Sequence, residues 1–168
     1  MKNFLLKCIL FSLSISNAYT NVVAAAPAKN IAAPSVSIQD AWVRPTDGGQ
    51  DVGAAYMTLS SPQNITLVSI ESDVTKSVEI HSMTMENGIM KMRMLDTLPL
   101  LANKPYKLAP SGFHLMLFDL KKPLSIGEHV NFLLHFKMKN DANKTSRSKE
   151  KSVEFTQRVD AIVKSLTD

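Results

Sequence analysis

Asn87-Gly88 lies between two β-prone runs, and this dipeptide restricts the fold more than any other part of the chain. A type I′ turn needs positive φ at both central residues, and asparagine followed by glycine meets that demand at little steric cost. If the pair forms a two-residue loop, Glu86 faces Ile89 across a hairpin. Counting outward sets Met85 opposite Met90, Met83 opposite Met92, and His81 opposite Met94. Side chains alternate along a strand, so His81, Met83, Met85, Met90, Met92 and Met94 then share one face.

Further β-prone segments bounded by turn residues occur at 36–44, 53–60, 64–71, 76–85, 89–95, 113–119, 129–138 and about 151–158. Seven or eight short strands at this spacing predict an all-β domain, an antiparallel β-sandwich or barrel. The one stretch with helical spacing is at the end, where Val159, Ile162, Val163 and Leu166 recur three or four apart. This places the sandwich over 36–158 and a C-terminal tail over 159–168.

The first residues read as a secretory signal over 1–25. Lys2 and Lys7 precede or interrupt an apolar stretch of Phe4, Leu5, Leu6, Ile9, Leu10, Phe11 and Leu13, with small residues suited to cleavage between Ala18 and Ala25. The stretch is shorter and more interrupted than the roughly 20 apolar residues a membrane span needs. An Ala/Pro-rich leader over 26–35 follows, and the expected location of the mature protein is the periplasm.

The only cysteine, Cys8, falls inside the signal, so disulfides, thiolate ligands and redox-active thiol pairs are not expected in the mature domain. It precedes the end of the apolar run, which argues against a lipoprotein cysteine. Removing Lys2 and Lys7 lowers the formal charge from +4 to +2, so nucleic-acid binding is not implied. The basic stretch Lys137, Lys139, Lys144, Arg147, Lys149 and Lys151 has no aromatic residues between its charges and reads as a solvated loop.

Methionine usually fills irregular gaps in cores, so the methionine face of the hairpin has a plain explanation in packing. Against it, Val78 and Ile80 mark the opposite face as the apolar one, and Glu79 shares the face of His81. On this segment alone, core and metal site are equally good accounts. A second segment adds weight to metal: in Gly112-Phe113-His114-Leu115-Met116-Leu117, His114 and Met116 are two apart on a strand and point the same way. Thioethers select Cu(I) and imidazole tolerates it, whereas Mg²⁺, Ca²⁺ and Mn²⁺ want oxygen and zinc normally recruits thiolate or carboxylate rather than methionine. Copper is the metal this donor set names.

The spacing His81, ten residues, Met92, twenty-one residues, His114-Leu115-Met116 resembles the signature of the periplasmic copper chaperones of the PCu(A)C type, which serve the copper centre of cytochrome c oxidase. The resemblance extends to Asp40-Ala41-Trp42-Val43-Arg44 and Gly53-Ala54-Ala55-Tyr56-Met57 and covers residues 36–138. It implies a cupredoxin-like fold and one Cu(I) held by His81, Met92, His114 and Met116. Hairpin geometry permits either Met92 or Met94 beside His81; the resemblance selects Met92. Met83, Met90 and Met94 remain auxiliary ligand candidates. The long polar segment 140–151 departs from the short closing hairpin of the family.

The resemblance further implies an acceptor, either the copper-bearing subunit of cytochrome c oxidase or a thioredoxin-like copper-handling protein. Without a cysteine, a blue-copper electron carrier is a poor alternative. Two other readings stand beside the chaperone: a copper storage or resistance protein that takes up several ions, and a non-metal β-sandwich interaction module. An enzyme is not expected, because no acid/base pair, nucleophile or phosphate loop stands out. His129 and His135 are expected to be structural or surface residues.

Overall fold

The computed structural model describes residues 35–139 and 152–166. The expected signal over 1–25, all but Ser35 of the expected leader and the segment 140–151 lie outside the described residues. Ten strands follow in order: β1 (Ser37–Val43), β2 (Val52–Ser60), β3 (Ile65–Ser72), β4 (Ser77–Glu86), β5 (Ile89–Leu95), β6 (Leu98–Leu100), β7 (Tyr106–Leu108), β8 (Phe113–Phe118), β9 (His129–Lys139) and β10 (Ser152–Val163). No α-helix occurs among the described residues.

The eight segments read from the sequence correspond to β1–β5, β8, β9 and β10. Two strands were not visible there. β6 and β7 span three residues each, too short to show alternation, and Pro99 in β6 is tolerated because that strand pairs only with β3 at the margin of the sheet. The helical spacing at the C-terminus is overturned, since β10 continues through Val163 and carries the sheet past the expected boundary at 158. Its true period is two: Ala161 and Val163 are fully buried, whereas Ile162 and Leu166, half of the helical pattern, are exposed.

The strands run β5-β4-β8-β7-β2-β1-β10-β9-β3-β6, and further pairings of β8 with β2 and β3 with β4 close the sheet on itself. Most pairings are antiparallel, as expected; β1 with β10 and β7 with β8 are parallel. Parallel neighbours need a long connection, and between β1 and β10 almost the whole domain supplies it.

β9 shows why the barrel holds together. Val130, Phe132, Leu134, Phe136 and Met138 alternate inward with near-zero exposure and meet Leu59, Leu67, Leu115 and Leu117. β8 contributes Leu115 and Leu117 to this core, with Phe113 packed against it, so the alternate residues His114, Met116 and Phe118 face outward. A bulge in β1 at Asp40, where φ is 51°, shifts the register by one and sets Trp42 opposite Tyr56.

Phe136 is fully buried and stacks on Phe155 with ring centroids 5.3 Å apart. Phe136→Ala is expected to lower unfolding free energy by about 3–5 kcal/mol, read from urea denaturation.

Candidate metal centre

The hairpin register follows the turn chemistry. Asn87 and Gly88 have φ of 53° and 76°, and β4 pairs with β5 as Glu86↔Ile89, Met85↔Met90, Met83↔Met92 and His81↔Met94. On its other side β4 pairs with β8, setting His81 directly opposite His114 and Glu79 opposite Met116. Two imidazoles predicted from separate parts of the sequence thus become neighbours, with ring centroids 5.8 Å apart.

Both rings are buried although they lie outside the barrel: His81 is 8% exposed and His114 5%. Glu79 had suggested an open face, yet only the hairpin beyond it is open. Phe118 packs near His81 at 6.1 Å between centroids and helps to shut out water.

Their hydrogen bonds fix which nitrogens carry protons. A carboxylate can only accept, so His81 Nε2–H donates to Glu79 Oε2 at 2.8 Å. His81 Nδ1 is then left as a buried lone pair with no partner. His114 Nδ1–H donates to the Gly112 carbonyl at 3.0 Å, which leaves Nε2 as its acceptor. The same carbonyl also takes the Met83 amide at 3.0 Å and ties β4 to the turn before His114. Each ring thus has one nitrogen fixed by a hydrogen bond and the other free to act as a metal ligand, with Glu79 as the orienting partner behind one of them. Glu79 was readable as sharing the face of His81 but not as its hydrogen-bond partner.

A cavity of about 420 Å³ opens beside this pair. Met83, His114 and Met116 line one side, and Arg44, Tyr56 and the 45–50 loop line the other, whereas neither His81 nor Met92 contributes to its wall. The segments around Trp42 and Tyr56 therefore build the wall facing the candidate ligands; the Trp42 and Tyr56 rings sit 4.4 Å apart. Burial raises the Tyr56 phenol above its ordinary range, with Arg44 pulling the other way, so it stays a neutral hydroxyl. The loop is pinned by the Thr46 hydroxyl, which accepts from the Leu124 amide at 2.9 Å.

Of the other candidates, Met116 is partly buried on the row of Glu79. Met92 stands one strand further out, beside Met83, and is 52% exposed; Met90 and Met94 are also exposed. Met57 and Met138 are the methionines that serve the core. His129 meets Asp160 at 3.0 Å on the surface of β9, and His135 Nε2 lies 3.1 Å from Glu71 Oε1 but is a buried nitrogen that makes no hydrogen bond. Among the described residues, no three His, Cys, Asp or Glu side chains converge to hold a metal ion.

The fold and this face together define an all-β domain with paired histidines and a thioether-rich hairpin. The family model described as "Putative lipoprotein LpqE-like" matches residues 36–145, and the chain belongs to this family, which is of the PCuAC type. A curated relative, "Putative lipoprotein Lxx21020" of Leifsonia xyli subsp. xyli (strain CTCB07), is 25% identical over 125 residues, covering 74% of this chain and 75% of that one. The solution structure of CuI-DR1885 from Deinococcus radiodurans is 31% identical with a TM-score of 0.54, covering 76% of each chain. The copper-bound PCuAC domain from PmoF2 is 22% identical with a TM-score of 0.53, covering 76% of this chain and 91% of that one. The fold is cupredoxin-like, as these neighbours have it.

The tautomers are open to measurement. Long-range ¹⁵N–¹H correlation spectra above the range where imidazoles protonate should show His81 protonated on Nε2 and His114 on Nδ1, and Glu79→Ala should release the His81 preference.

Proposed function

We propose that this protein is an exported copper chaperone that binds one Cu(I) tightly through His81, Met92, His114 and Met116 and gives it up to the copper centre of cytochrome c oxidase, directly or through a thioredoxin-like partner. The observation that carries this reading is the orphaned, buried Nδ1 of His81 beside the ring of His114. A buried polar atom without a partner costs free energy, and a bound cation would remove that cost. Copper is supported further by the donor set and by the similar structures from Deinococcus radiodurans and PmoF2, which are Cu(I)-bound and copper-bound. Export is supported by the lipoprotein descriptions of the family and of the Leifsonia relative. No helix among the described residues is long and apolar enough to cross a membrane.

In this reading the ion is cargo, and the protein binds and transfers it without chemistry of its own. Thioethers need lose no proton to bind, and only the imidazoles must be neutral. Glu79 and the Gly112 carbonyl hold both rings in the tautomers that present lone pairs. The exposed Met92 closes the site and is the ligand an acceptor can displace first. Thiolates of the acceptor are anionic and softer, so transfer runs downhill.

Met92→Leu keeps volume and apolarity. It should weaken Cu(I) binding in competition with a chromophoric chelator while changing stability by less than about 1.5 kcal/mol. In cells grown with scarce copper, deleting the gene should lower cytochrome c oxidase activity, and the wild type but not His114→Ala should restore it. Full activity in the deletion strain at every copper level would overturn delivery to the oxidase.

A further inference from the structure

The tip of the hairpin carries methionines that the histidine site does not use. β4 pairs with β8 only as far as Ser82, and residues 83–86 pair in the sheet with β5 alone. There Met85 faces Met90 directly, and Met83 is one step back on the same face. Directly opposed strand residues have Cβ atoms about 4.5–5.5 Å apart, close enough for long side chains to meet over one small ion.

Core packing does not explain these residues, since Met85 is 63% and Met90 46% exposed. An apolar docking stripe would be served by any large hydrophobic residue, and a sheet edge favours β-branched and aromatic ones. Yet positions 83, 85, 90, 92 and 94 on this face are all methionine, and exposed Ile89 sits on the other face. The charges lie on that other face too, where Glu86 takes Lys91 at 2.6 Å and Arg93 at 3.5 Å. The methionine face of the tip therefore offers three thioether donors with the charges of the hairpin on its opposite face, a set that selects Cu(I) over zinc and the hard cations.

We infer that Met83, Met85 and Met90 form a second, weaker Cu(I) site at the hairpin tip. The inference rests on reading the buried histidine pair as the tighter Cu(I) site. Three exposed thioethers lack the imidazoles and the burial of that site, so they hold the ion less firmly. Met83 joins the two, because it also lines the cavity with His114 and Met116. Copper passes along the hairpin between solvent or acceptor and the buried pair. Such a relay needs two unequal sites, whereas a store would hold both ions tightly.

The test is an anaerobic titration of the purified chain with Cu(I), supplied as its acetonitrile complex and competed with a chromophoric chelator. The wild type should take up two ions of unequal affinity. Met85→Leu combined with Met90→Leu, both conservative at exposed positions, should lose the weaker ion and keep the tighter one. His114→Ala should keep the weaker ion, with only sulfur neighbours in X-ray absorption. A wild type that binds one ion, or a double variant that still binds two, overturns the tip site and leaves the chaperone reading intact. A wild type that binds none overturns both.

Discussion

The register of β4 against β8 is the constraint on which the rest of this structure depends. The pairings that bury Ile80 with Leu115 and Val78 with Leu117 on the inside are the ones that set His81 beside His114 on the outside. A slip of one residue would turn every side chain to the other face and expose Leu115 and Leu117, each worth about 1.5–3 kcal/mol of burial. The apolar core therefore fixes the positions of the imidazoles.

Placing two imidazoles outside the barrel and then covering them has an electrostatic consequence. A cation brought between these rings enters surroundings with little water to solvate its charge. Glu79 is the compensating element. Its side chain is one-third exposed and stays hydrated while accepting from His81 at 2.8 Å. In the proposed loaded state its negative charge stands one imidazole away from the cation, which offsets the positive charge that copper brings to a dry site.

Much of this was legible in the sequence, because the decisive features are local. Asn87-Gly88 sets the hairpin register by backbone geometry alone, and alternation along 113–118 puts His114 and Met116 on one face whatever their surroundings. Strand neighbours were not legible in this way. That β8 lies beside β4, and hence that His81 meets His114, depends on long-range closure of the barrel and was reached only through resemblance. The C-terminal strand was missed because Val159, Ile162, Val163 and Leu166 satisfy a helical period by accident; the sheet selected Ala161 and Val163 instead, and a small alanine carries little hydrophobic signal. The role of Glu79 was hidden for another reason: a carboxylate on a strand face signals exposure until its partner is known.

The hairpin then explains how a site can be both selective and easy to empty. In the proposed site, selectivity would come from the thioethers, which favour Cu(I) over zinc and the hard cations. Ease of release comes from a gradient of exposure along the same β-strands: His81 and His114 are almost dry, Met83 and Met116 are half-covered, and Met85, Met90, Met92 and Met94 face solvent. In the proposed loaded state, an ion held at the dry end by imidazoles would have the more accessible thioethers of the hairpin beside it. On the proposed delivery route, an acceptor with thiolates would replace these ligands one at a time, and the ion would never be bare. A wholly buried four-ligand cage of the same atoms would bind as selectively but would have to open before it could deliver.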